Sequence, residues 1–358
     1  VKRPEYVERV ATVPFRLPRP SDLPNTVDRV VAADAERAAT IQALLYPAAP
    51  DGAGREAAVL LERVAYARAE LGPAPGEPVG PDPGESPANR DNDLAFGIVR
   101  TRGPAGALLQ DAVLASLAGV LEMAVAHGSD VDKPAWDLLN GGFEALIGWL
   151  ARPRQAPVRH RAAHPGALHR QQPDDALRRW VRGHHVFMTF CQGATVMMSC
   201  LQHSAELGAL EDAAAAAAAA VALMEGSHGA LLYAGDARRT QYREEIRPTL
   251  MPPVAPPKMS GLHWRDHEAL VAAITAARPA WSVLAGFRPD LLDEYRTALD
   301  AAYRAHRDVC EQFVGDRSPS LLATKGSSRY ATDVLGQFRR IRLRSLPDTG
   351  EAREGDAR

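Results

Sequence analysis

The chain has 358 residues, 46% of them hydrophobic, and its 42 basic and 44 acidic residues leave a formal net charge of −2. That length and apolar content support a large buried core, and the balanced charge argues against the basic field that gathers nucleic acid or anionic lipid. Lysine stands only at Lys2, Lys133, Lys258 and Lys325, so the positive charge is arginine and reads as composition bias.

In chain order, apolar residues at steps of three and four, punctuated by Pro and Gly, predict helices near 26–46, 54–71, 106–127, 134–151, 174–208, 211–225, 265–277, 289–314 and 333–343. Asp266 and Asp290 stand at two of these starts as cap-type residues. Strand-like alternation is nearly missing, so the expected class is all-α. The N-terminal helices occupy 1–71, a Pro/Gly-rich linker or mobile loop 72–95, the helical catalytic domain 96–345 and a polar tail 346–358.

Several segments within that plan carry chemistry-bearing residues. The stretch 151–175 holds His160, His164 and His169 among arginines, with no acidic or cysteine ligand interleaved, and reads as a solvated loop rather than a metal site. The run 184–201 is apolar nearly all round and should be the most buried helix. His184 and His185 enter it at its polar end, either as satisfied core groups or as the wall of a pocket, and are taken as candidate substrate-binding residues. The alanines at 213–220 point to close helix packing, and the proline-rich 247–261 delivers the next helix.

Three cysteines, Cys191, Cys200 and Cys310, are too few for a disulfide framework and suggest a reducing compartment. Residues 1–15 show no apolar run followed by small residues, and no window offers some 18 to 20 uninterrupted apolar residues, so the expectation is a cytoplasmic chain with no membrane span. The C-x-x-C-H signature of exported cytochromes is absent from the sequence.

The most informative pair is His306 and Cys310, four residues apart on a helix whose Leu292, Tyr295, Leu299, Ala302, Val309 and Phe313 form an apolar stripe. Side chains at that spacing have Cβ atoms roughly 5–6 Å apart, so an imidazole could reach the iron of a haem while the thiol reaches its rim. The alternative is a core histidine with a cysteine acting as a small hydrophobe. His267 shares a face with Leu270, Val271 and Ile274, and 38 residues separate it from His306. Two histidines on adjacent helices could approach one iron from opposite sides.

From His306 to Gly336 the sequence resembles the proximal region of the haem-dependent tryptophan dioxygenase superfamily, where a ligating histidine precedes a glutamate, a glycine and a Gly-Thr-Gly-Gly-Ser type loop. The counterparts are His306, Glu311, Gly315 and the loop Ala323-Thr324-Lys325-Gly326-Ser327-Ser328. HVFMTFCQGATVMM, from His185, is similar to the distal helix of those enzymes, with Cys191 where they commonly carry histidine. The pattern His, 38 residues, His-x-x-x-Cys resembles the histidine-ligated haem-dependent aromatic hydroxylases of natural-product pathways.

This resemblance implies a helical bundle enclosing a haem, tryptophan 2,3-dioxygenase-like, with His306 as proximal ligand, Cys310 as a single thioether link and His267 as the opposite axial ligand, catalytic as gate and proton shuttle. It also implies that Thr324, Gly326, Ser327 and Ser328 lie against a propionate or the amino-acid end of the substrate, and that Arg247 binds its carboxylate. The implied substrate is a small-molecule aromatic amino acid, with 3-methyl-L-tyrosine hydroxylated to 3-hydroxy-5-methyl-L-tyrosine. The implied oxidant is O2 with a reductant such as ascorbate, or hydrogen peroxide, and the implied assembly is a homo-oligomer, a dimer. Competing readings are an indole-ring dioxygenase, a non-catalytic bis-histidine electron-transfer or sensor protein, and a helical protein without cofactor.

Overall fold

A computed structural model describes residues 13–32, 35–47, 56–80, 85–157, 175–251, 264–315 and 330–348. Phe15–Leu17 forms β1 and is followed by α1 (Val27–Ala32), α2 (Ala35–Leu45) and α3 (Ala57–Leu71). Then come β2 (Glu77–Pro78), α4 (Pro87–Ala95) and β3 (Ile98–Arg102), and after them the long helices α5 (Ala105–His127), α6 (Lys133–Ala151), α7 (Ala176–Glu206) and α8 (Leu210–Ala234). A tightly wound stretch, Arg239–Leu250, precedes α9 (Arg265–Ala276), α10 (Arg278–Phe287), α11 (Pro289–Val314) and α12 (Ala331–Arg344).

The helical class expected from apolar spacing is what the chain adopts, with one small addition. β1 pairs parallel to β3, with Phe15 opposite Ile98 and Leu17 opposite Arg100, and β2 pairs antiparallel to it, with Glu77 opposite Arg102. Strands of two to five residues are too short for alternation to show in sequence. Within 72–95, read as a linker or mobile loop, the structure places β2 and α4. Ser86 caps α4 by accepting from the Asn89 N–H, and Asn89, Asn92 and Asp93 are buried.

α8 lies at the centre, against α6, α7 and α11. Its alanines let the helices approach: Ala213–Ala217, Ala219 and Ala220 are all buried. One close crossing comes where Gly226 meets Gly142 of α6, since a Cβ added at Gly226 would lie 2.6 Å from the Gly142 Cα. By length and composition α5 and α8 could each cross a membrane, contrary to the expectation from sequence, yet both are largely enclosed by neighbouring helices.

Apolar side chains gather in two principal clusters. The larger joins α1–α3 to the long helices, so Ile41, Leu45 and Val64 share a core with Trp136, Phe143 and Leu223. The smaller gathers Phe15, Phe96, Tyr242, Trp264, Val309 and Phe313 around the sheet. Between the two clusters lies a cavity lined by residues of both, Phe96, Trp264 and Phe313 from one and Leu270, Ile274 and Leu299 from the other.

Candidate active site

α11 starts at Pro289, whose fixed φ suits a first turn, and ends at Gly315, which takes the positive φ of 77° that a side chain would resist. Its buried face runs through Leu292, Tyr295, Leu299, Ala302, Val309 and Phe313. Along the edge of that face, Tyr303, His306 and Cys310 open onto a cavity of about 340 Å³. α9 contributes His267, Leu270, Val271 and Ile274 to the same wall, and α7 contributes Trp180, His184, Phe187 and Cys191. The three residues that the sequence pattern singled out, His267, His306 and Cys310, therefore meet in one space.

The environment keeps these groups neutral. The His306 ring has accessible surface, but it lines the cavity, and burial lowers its pKa to about 4. Burial, then the charge of Arg342, then His306 bring His267 to about 4, with Phe187 packed 5.8 Å from its ring. Neutral imidazole is the form that ligates a metal. Burial pushes the Cys310 thiol up to about 11 and Cys191 well above its ordinary range, so neither is a standing thiolate.

His184 and His185 separate into different roles. His185 Nε2 donates to the Phe96 carbonyl at 2.8 Å, its ring stacks on Phe15 at 4.1 Å, and it is not part of the cavity wall. Burial lowers its pKa to about 3. His184 does line the cavity: its Nδ1 donates to the Trp180 carbonyl at 2.8 Å, and burial lowers it to about 4. Arg247 is half-buried on the wall beside Tyr242, where its charge opposes the upward push of burial on that phenol. Thr324, Gly326, Ser327 and Ser328 lie outside the described residues, as do His160, His164 and His169.

Sequence reasoning missed Arg342, which joins Val334, Leu335 and Phe338 of α12 on the cavity wall. Its Nε is buried without a partner, and its charge lies near both His267 and Tyr303. The spacing from 334 to 338 to 342 was the available clue: an arginine continued an apolar stripe.

Buried charges anchor the helix that carries His267. Asp266, 0% exposed, accepts from Arg100 Nη1 at 2.9 Å and Nη2 at 2.5 Å, and from Gln192 Nε2 at 2.8 Å. Arg100, on β3, also donates two bonds of 2.8 Å to Asp93 on α4. Burial opposes the guanidinium charge, but the two carboxylates outweigh it and raise its pKa. Asp266 is therefore not the helix cap its position suggested; Trp264 occupies the cap without a side-chain bond.

A family model described as "SfmD 3-methyl-L-tyrosine peroxygenase" matches residues 16–312. The chain belongs to the SfmD peroxygenase family. His267, His306 and Cys310 all fall inside the matched range. A 3-methyl-L-tyrosine peroxygenase of Streptomyces lavendulae is 55% identical over 357 residues, covering 99% of this chain and 96% of the relative. Among solved structures, reduced SfmD, obtained by soaking crystals with sodium hydrosulfite, shares 55% identity at a TM-score of 0.75, covering 83% of this chain and 97% of the SfmD chain. The peroxygenase family is thus matched across the fold as well as the sequence.

Proposed function

We propose that this chain hydroxylates the ring of 3-methyl-L-tyrosine to give 3-hydroxy-5-methyl-L-tyrosine, using a haem held by His306, His267 and Cys310. The observation that carries the reading is the convergence of those three side chains on one largely apolar cavity, in a chain of the peroxygenase family. The residues fit the group. Two neutral imidazoles and a thiol border a space of ligand-pocket size, and the guanidiniums of Arg247, beside Tyr242, and Arg342, beside Tyr303, line it too. A group bearing two propionates, together with an amino-acid carboxylate, would supply the matching negative charge.

When bound, the haem supplies the oxidising power that places one oxygen atom beside the phenol, with hydrogen peroxide as the oxidant that the relatives' name suggests. The chain's own part is positional. His306 and Cys310, one turn apart on α11, would hold the haem at two points on one helix, independently of His267 on α9. His267, kept neutral by burial, is in the form that would hold the iron and that would be released as a free base. The apolar wall from Phe187, Leu270 and Ile274 excludes water, and Arg247 or Arg342 offers the carboxylate a charged partner.

A dioxygenase reading loses support because Cys191 stands where the resemblance puts a histidine, and because the relative is named a peroxygenase. An electron carrier has no need of an apolar cavity that opens between two arginines. The test is the intact mass of acid–acetone-treated protein together with the product formed from 3-methyl-L-tyrosine and labelled peroxide. We expect a mass gain of one haem that Cys310→Ala abolishes, and one labelled oxygen in a new phenol. Extraction of all pigment from the wild type, or an N-formyl product from tryptophan, would refute the proposal.

A further inference from the structure

His184 stands on the cavity wall, and the part of the substrate it meets follows from its bonding. His184 donates through Nδ1 to the Trp180 carbonyl at 2.8 Å, which leaves the lone pair of a neutral imidazole on Nε2. The ring is boxed by Trp180 at 4.4 Å, Phe96 at 4.7 Å and Trp264 at 5.5 Å between centroids. Phe96 is itself held in place by the bond from His185 to its carbonyl. The open side of the box is the cavity shared with His267 and His306, and among the described residues Nε2 meets no donor.

We propose that His184 Nε2 accepts a hydrogen bond from the phenolic hydroxyl of the substrate, turning the ring so that one chosen carbon beside that hydroxyl faces the reacting centre. The proposal rests on the hydroxylase reading above. A rigid acceptor in an aromatic box suits a flat, neutral donor, and a phenol is one; an ammonium would lose its hydration without a countercharge. His184 thereby orients the phenol and selects for it.

The test uses the haem-loaded full chain and calorimetric titration with 3-methyl-L-tyrosine and with 3-methyl-L-phenylalanine, which lacks only the hydroxyl. In the wild type the tyrosine should bind about 5- to 150-fold more tightly, the range for leaving a buried polar group unpaired. His184→Phe should erase that preference while affinity for the phenylalanine is kept, and His184→Gln, whose carbonyl oxygen still accepts, should restore part of it. Both variants should retain the wild-type absorption spectrum and unfolding midpoint. A preference that persists in His184→Phe overturns the proposal, and so does loss of haem or a changed spectrum in both variants, which would make His184 a cofactor ligand. If the wild type binds neither compound, the hydroxylase reading falls and this proposal with it.

Discussion

Replacing Asp266 with alanine removes one of the two carboxylates that neutralise Arg100 and cuts three hydrogen bonds at the first turn of α9. Breaking a buried ion pair by deleting one partner costs ~3–5 kcal/mol. Asp93 keeps its two bonds of 2.8 Å to the same guanidinium, so the low end applies, about 3 kcal/mol. In a chain of this size that is a fall of about 4 °C in unfolding midpoint. Calorimetry on the haem-loaded chain measures it, and if His267 holds the haem as proposed the absorption spectrum should change too, because His267 is the next residue on the loosened turn. Asp266→Asn, which keeps the shape and one acceptor, should cost less. An unchanged midpoint and spectrum in Asp266→Ala would show that the network does not position α9.

Two further outcomes follow from local geometry. His185 is held at about 3 when folded, against ~6.5 unfolded, so below pH 6.5 the unfolded chain takes up a proton that the folded chain refuses. Its share of stability is complete above pH 6.5 and is lost as pH falls toward 3; His185→Gln, which can still donate to Phe96, should flatten denaturation measured against pH by up to about 1.4 kcal/mol per unit in that window, and an unaltered slope would contradict the assignment. Gly226→Ala should destabilise by about 1–3 kcal/mol because its Cβ meets the Gly142 backbone at 2.6 Å. Gly141→Ala, with nothing within 4 Å, should stabilise by about 0.5–1 kcal/mol; equal signs in chemical denaturation would refute the close crossing.

The helical class, the span of α11 and the pairing of His306 with Cys310 on one wall could all be read from the chain, because a 3.6-residue period is a local property that survives packing. α10 escaped notice because Pro279, the mark of a break, here sits at a helix start where its missing N–H is harmless. Sequence alone put His184 and His185 on one helix end but could not part them, since adjacent residues lie about 100° apart on a helix and only the neighbours decide which ring meets a cavity. Arg342 and Arg100 became visible only in three dimensions: one lies 75 positions from the His267 it faces, and the other pairs with Asp266 across 166 positions. Contacts at such separations arise from how helices cross, and no local period encodes them.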